Sequence, residues 1–316
     1  MTVQRGYPRH RIVLPVYIPS TDGYYADSFK ILQTCLRSLH ATTERSMANV
    51  TVIDNGCCSV VRGWLLNQVS DGLLDQVIIH ATNRGKPDAI FAAGRASYEQ
   101  FVTFADADVL FLTGWLSAVE RIFACFPEAG IVSPFPGNHV RHLHCLATWL
   151  RHLHELQFKR VVPPQDMLLF GQSTGNVSRY DELDWQGQWC VERAGVVAVV
   201  GAVHFVVTCR KKVIDAIDPR PCLLGLGDGG TKAERELDAV CDRLGMSKLS
   251  TPKAYVKHMG NKHEPWMDLE LQNLLGHAEK TEKNDVPCPD SAGKPGWPRF
   301  IPQVVRPRLS LSLIHI

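Results

Sequence analysis

The chain has 316 residues, 45% of them apolar and 21% charged, enough for one large α/β domain with a well-buried core, alone or with an appendage. A net charge of +2, with Lys and Arg scattered rather than gathered on one stripe, argues against nucleic acid as a partner. Ten cysteines lie in apolar or helical contexts without CxxC pairs, no signal peptide precedes the first strand, and the longest apolar stretch, residues 196–207, is interrupted by Gly201 and His204. That stretch is shorter than the roughly 20 residues of a membrane span. The expectation is a cytoplasmic protein without a transmembrane segment, with peripheral attachment to a membrane left open.

In chain order, residues 11–18 read as a strand and 26–39 as a helix, because Phe29, Leu32, Leu36 and Leu39 recur at helical spacing. The theme repeats with strand 50–53, helix 60–69, strand 76–79, helix 88–97 and strand 101–105. Strands alternating with helices predict a mostly parallel central sheet, flanked by helices and joined by right-handed crossovers. Ligands of such sheets bind at the carboxyl ends of the strands. Asp54, after the second strand, and Asp106-Ala107-Asp108, after the fourth, are then expected along one rim.

A helix at 115–126 and a strand at 130–133 follow, and the pattern changes at Pro134-Phe135-Pro136-Gly137. Leu143, Leu146, Leu150, Leu153 and Leu156 predict a long helix. Its histidines, His139, His142, His144, His152 and His154, are expected on the polar face opposite the leucines, since their spacing does not suit zinc. Residues 161–187 are polar and turn-rich and read as a mobile loop over the site. Strands at 196–199 and 203–208, a helix at 231–244 and a strand-like segment at 247–256 complete the domain. A short helix at 269–278 and a Pro-rich, charged tail come last. The final segment, 311–316, matches the translation of a transposon-type sequencing adapter and is set apart; the natural chain is then expected to continue beyond about residue 310.

Two carboxylates one residue apart at the end of a buried strand, Asp106 and Asp108, make a hard-oxygen set able to hold a divalent cation and, through it, a diphosphate. A solvated turn is the competing account. In Asn83-Arg84-Gly85-Lys86, Gly85 permits close backbone approach and Arg84 or Lys86 can offset phosphate charge. Thr231 and Glu234 fit a capping box, which gives Glu234 a structural duty; Asp228, in a glycine-rich loop, has none.

Five motifs, in order, resemble the GT-A glycosyltransferases, most closely the family 2 type, over residues 11–261: Leu14-Pro15-Val16-Tyr17, Val52-Ile53-Asp54-Asn55-Gly56, Asn83-Arg84-Gly85-Lys86, Ala105-Asp106-Ala107-Asp108 and Val256-Lys257-His258-Met259-Gly260. The resemblance implies a GT-A, Rossmann-like α/β fold, with a catalytic domain at 1–265 and a C-terminal helix and tail at 266–310. It implies transfer of a sugar from a UDP- or GDP-linked nucleoside diphosphate donor to a carbohydrate or other hydroxyl acceptor, with Mn2+ or Mg2+ as cofactor. By that resemblance Pro15, Tyr17, Asp54, Asn83, Lys86 and Asp106 contact the nucleotide. Asp106, Asp108 and His258 hold the metal, and Gly201 and Ala202 let the backbone approach the sugar or acceptor, close strand packing being an equal explanation for that pair.

The chain departs from the family at the base that deprotonates the acceptor. Residues 227–238 lack the usual adjacent Glu-Asp pair, so Asp228 is the first candidate and Glu234 the second. Inversion by single displacement is expected, but a retaining enzyme of the same fold would also lack the pair. Two alternatives from other classes are a sugar nucleotidyltransferase and an inactive nucleotide-sugar-binding module. The former expects a Gly-rich, basic signature after the first strand, which Pro19-Ser20-Thr21-Asp22-Gly23 lacks.

Overall fold

The structure is a computed structural model and describes residues 8–218 and 231–284. Strand β1 (His10–Val16) shows how the sequence makes a central strand: Ile12, Leu14 and Val16 enter one hydrophobic cluster and Val13 another. That is the two-residue alternation of a strand buried on both faces. Helix α1 (Ser28–Thr42) covers the first face with Ile31, Leu32, Leu36 and Leu39. Strand β2 (Ala48–Asp54) runs parallel to β1 with Asp54 opposite Val16, and α2 (Ser59–Ser70) adds Val61 and Leu65 to the same face. After β3 (Gln76–Ile79), helix α3 (Lys86–Ala96) lies on the opposite face, where Ala89, Ile90 and Phe91 share a cluster with Val13 and Phe104. Strand β4 (Phe101–Ala105) then returns to pair with β1.

Next come β5 (Val109–Phe111), α4 (Trp115–Cys125) and β6 (Ala129–Ser133); Trp115 is fully buried and its indole N–H donates to Thr43 Oγ1 at 3.1 Å. Helix α5 (Leu146–Arg151), β7 (Gln157–Lys159), α6 (Pro164–Ser173) and α7 (Glu182–Gln186) precede β8 (Gln188–Arg193), β9 (Val196–Val200) and β10 (Val206–Arg210). The chain continues through α8 (Lys211–Asp215), α9 (Thr231–Arg243), β11 (Ser247–Ser250), β12 (Val256–His258) and α10 (Pro265–Asn284), which reaches back to α1.

Ten strands form one sheet in the order β3-β2-β1-β4-β10-β6-β11-β9-β8-β7, and β12 pairs with β5 in a separate ribbon. Strands β3, β2, β1, β4, β6, β11 and β8 run one way, and β10, β9 and β7 the other. The sheet is therefore mostly parallel, with helices on both faces, as the alternation of strands and helices predicts. Among the described residues no helix is long and apolar enough to cross a membrane.

Three regions differ from expectation. The predicted long leucine-rich helix is only the six residues of α5, and Leu146, Leu150 and Leu153 are 64%, 65% and 61% exposed. The inward face is polar instead: Thr148 Oγ1 accepts the amide of Lys248 at 2.9 Å, and His152 Nε2 lies 3.0 Å from Ser247 Oγ, both side chains fully buried. Residues 161–187 are built of α6, α7 and a short 3-10 turn, α7 opening with a reciprocal capping box between Asp181 and Asp184. The segment 247–256 is two strands rather than one, since β11 joins the main sheet and β12 leaves it for β5.

Candidate functional site

The carboxyl ends of β1, β2 and β4 meet on one rim, where four loops converge. Asp54 ends β2 fully buried: Oδ1 accepts the amides of Gly56 (3.1 Å) and Cys57 (2.7 Å), and Arg62 Nε donates to Oδ2 at 2.5 Å. Burial alone would raise its pKa, but the bonds from Arg62 and Cys57 together outweigh it and hold the carboxyl below the usual range. The Asp54 carboxylate is thus turned inward and fixes the turn that follows. Arg62, one helical turn into α2, is a site residue that sequence reading missed.

The next residue, Asn55, ties this loop to the one after β3. Its Nδ2 donates to Asn83 Oδ1 (2.9 Å), its Oδ1 accepts the Arg84 amide (3.0 Å), and His80 Nδ1 lies 3.0 Å from the same oxygen. Asn83 Oδ1 also accepts the Gly85 amide at 2.8 Å. Gly56 is required between them: its φ is +97°, and a Cβ there would sit 3.0 Å from the backbone nitrogen of Asn83. This clasp delivers Lys86, the first residue of α3, to Asp106, with Nζ to Oδ1 at 2.5 Å.

Asp106 and Asp108 face different partners. The Asp106 amide donates to Phe205 O at 2.8 Å, anchoring the loop to the start of β10. Asp108 Oδ2 lies 3.4 Å from His258 Nε2, because β12 pairs antiparallel with β5, placing His258 opposite Val109 and letting the Met259 amide donate to Asp108 O at 2.7 Å. Burial pushes the Asp108 carboxyl above the usual range, and Asp106 adds to this against the opposing pull of His258 and Lys86. Its Oδ1 is buried without a hydrogen-bond partner, as is His258 Nδ1. The rings of Phe205 and Phe170 stand edge-on to His258 at 5.7 and 6.0 Å. Among the described residues no three His, Cys, Asp or Glu side chains are grouped closely enough to hold a metal ion; Asp106 turns to Lys86 rather than joining the Asp108–His258 pair.

Pro15 is half-buried in β1, and Tyr17, just past it, is 41% exposed and makes an edge contact with Tyr25 at 6.0 Å, which in turn meets the exposed Tyr24 at 5.1 Å. Gly201 and Ala202 pack against the backbone of the 136–137 turn: Ala202 bridges to Pro136, and Gly201 has φ of +104° against Gly137 O, where no Cβ fits. Asp228 lies outside the described residues, and so does the side chain of Glu234, whose backbone is in α9.

Beside this rim lies a buried charged set that sequence reading missed. His204 Nε2 is 2.9 Å from Asp238 Oδ1, Lys248 Nζ is 2.5 Å from Asp238 Oδ2, and the same Nζ donates to Leu143 O at 2.7 Å. It binds α9, β11 and the turn before β10 into one unit, next to the loop that Phe205 anchors. A cleft of about 620 Å3, bordered by Phe170, Lys257, His258, Trp266 and Leu269, opens between α6, β12 and α10.

No family model and no curated protein matches the chain. Among solved structures it is similar to the mannosyltransferase PcManGT from Pyrobaculum calidifontis in complex with GDP-Man and Mn2+, at 14% identity and a TM-score of 0.48, covering 90% of this chain and 67% of that one. It is similar also to S. aureus TarS 1-349, at 14% identity and a TM-score of 0.46 over 85% of this chain and 65% of that one. For the same fragment in complex with UDP-GlcNAc the values are 13%, 0.45, 85% and 66%. This chain therefore spans about two thirds of the length of the structures it matches. The likeness is remote.

Proposed function

We propose that the chain is a metal-dependent GT-A glycosyltransferase of the family 2 type, which moves a sugar from a UDP- or GDP-linked donor to an acceptor hydroxyl. The observation that carries this reading is the pairing of Asp108 with His258 on the rim, each with a buried polar atom lacking a partner, beside a Lys86–Asp106 pair. Such orphaned atoms are rare in protein interiors and fit a ligand that supplies the missing bonds. The Asp108 carboxylate suits Mn2+ or Mg2+, which when bound would offset charge on the departing nucleoside diphosphate, and the His258 imidazole favours Mn2+ of the two. Asp108 and His258 would hold the cation, with Asp106 completing the set once Lys86 turns to the diphosphate.

In this reading Asp54 acts through the turn it fixes, so that Asn55, Asn83 and the amides around them shape the nucleotide edge. Tyr17 and Pro15 flank the base, and Gly201 and Ala202 hold the backbone wall of the sugar side. Inversion is the proposed course, with Asp228 as base and Glu234 as the second candidate. The cleft bordered by His258 is the proposed entry for the acceptor.

The test is a thermal-shift series with UDP, GDP and their sugars, with and without Mn2+. Ligand at one hundred times its Kd stabilises a protein by about 2.7 kcal/mol. The expected result is a metal-dependent shift that Asp108→Ala abolishes, with donor turnover lost in parallel; no shift from any nucleotide in the presence of Mn2+ sinks the proposal. Binding without turnover would favour an inactive nucleotide-sugar-binding module, and pyrophosphate release from a nucleoside triphosphate would favour a nucleotidyltransferase. Anomer analysis of the product separates inversion from retention.

A further inference from the structure

The cleft between α6, β12 and α10 presents mostly apolar surface. Leu169 comes from α6, Val256 and Met259 from β12 and the residue after it, and Trp266 and Leu269 from α10. Leu169 and Leu269 remain 44% and 61% exposed, and Trp266 is half-buried with its indole N–H already donated to Glu264 Oε2 at 2.9 Å. His258 borders the same space, so the apolar wall is continuous with the rim that carries Asp108. Apolar side chains in a concavity are unfavourably solvated until a ligand covers them, and about 620 Å3 lies within the roughly 300–1,000 Å3 of small-molecule sites.

The charges around the cleft narrow the ligand further. Two lysines, Lys257 and Lys262, stand against three carboxylates, Asp166, Glu264 and Glu270. Lys257 Nζ donates to Glu270 Oε2 at 2.9 Å, and Asp166 Oδ2 accepts the Ala254 amide at 2.7 Å, so these groups are satisfied within the protein. No surplus of positive charge awaits a phosphate, and an anion taken out of water there would lack a counter-charge. We propose that the cleft takes an uncharged acceptor whose aliphatic chain lies between Leu169 and Leu269, with its hydroxyl end toward His258. The inference rests on the glycosyltransferase reading and adds to it the chemical class of the acceptor, an amphipathic alcohol or glycoside rather than a free sugar or a phosphorylated polymer.

The test compares methyl, hexyl and octyl glucoside, below micelle-forming concentrations, by calorimetry on the full chain. Each buried CH2 is worth about fourfold in affinity, so octyl glucoside is expected to bind at least about tenfold more tightly than methyl glucoside. Leu169→Ser and Leu269→Ser alter exposed side chains and should keep the wild-type melting temperature, and with it an affinity for UDP or GDP with Mn2+ within about twofold of wild type. The gain from chain length should shrink in each variant and vanish when the two are combined. An affinity that does not rise with chain length, or a rise that the combined variant leaves intact, overturns the proposal. So does octyl phosphate binding more tightly than octyl glucoside, which would assign a charged ligand. A dimer that Leu269→Ser dissociates would give the cleft to a second copy of the chain and overturn it likewise. If no nucleotide binds the wild-type protein, the glycosyltransferase reading has failed, and the chain-length series still decides the cleft: a gain lost in the combined variant keeps it as a site for an aliphatic chain, and no gain removes it.

Discussion

In the half of the sheet from β3 to β4, apolar side chains dock the helices on the sheet: Leu36 and Leu39 of α1 share a cluster with Leu14 of β1 and Val52 of β2, the strands that adjoin α1 in the chain. The half from β10 to β7 is assembled differently. There α5 docks on β11 through Thr148, His152 and Ser247, α9 is tied to β11 by Asp238 and Lys248, and Arg141 joins the 138–140 turn to α7 through Asp181 and Asp184, both at 2.6 Å. The helices of the first half are seated by apolar burial, whereas in the second half polar pairs between distant segments add to the apolar clusters around Ile131, Val240 and Val191. Apolar periodicity therefore reports the inner face of a helix only where the surface it docks on is itself apolar.

The comparison is most exposed at Asp238. Asp238→Ala leaves Lys248, which is fully buried, without its counter-charge and should cost about 3–5 kcal/mol in urea unfolding. Replacing Asp238 and Lys248 together by apolar residues should recover most of that loss; a single-variant cost below about 1 kcal/mol would show that the pair does not hold this half together. Leu36→Ala in the first half should cost about 2–5 kcal/mol, through lost burial and the cavity left behind.

Acid should separate the halves further. His139 has a folded pKa of about 3 against an ordinary 6.5, so between these values the unfolded chain binds a proton that the folded chain does not. Stability attributable to His139 is complete above pH 6.5 and falls by about 1.4 kcal/mol per pH unit on the way down to its folded pKa. His139→Phe should flatten the slope of stability against pH by that amount, and an unaltered slope would mean that His139 is not held neutral.

Asn55→Ala cuts the clasp between the loops after β2 and β3 and leaves the Arg84 amide without its acceptor, a loss of about 1–3 kcal/mol with the sheet intact. The smallest effect is expected at Leu150. Although it belongs to the leucine repeat, it is 65% exposed, and Leu150→Ala should change stability by no more than about 0.5 kcal/mol. A cost of several kcal/mol there would restore the buried-stripe reading of the leucines.

Much of the rim is legible in the chain. Residues 76–79 and 101–105, read as strands, coincide with β3 and β4, and Asp54 and Asp106 stand at strand ends as the βα alternation requires. What Asp54 does there is not legible, because its partner Arg62 lies in the following helix and nothing in the spacing marks that residue as turned back to the carboxylate. Nor does the segment 247–256 reveal its break: both pieces are strand-like, and only the competition between β6 and β5 for partners divides them.

By itself the sequence determined the repeating strand–helix units, the two-faced burial of the central strands and the chemistry gathered at their carboxyl ends, because these depend on residues near one another in the chain. The tertiary structure alone decided that Asp106 turns to Lys86 and away from the Asp108–His258 pair, that Lys248 is neutralised by Asp238, and that the leucines of α5 point to solvent. Each of these is a choice of partner across a long loop, fixed by which surface is left to cover and which charge is left to balance once the local units have formed.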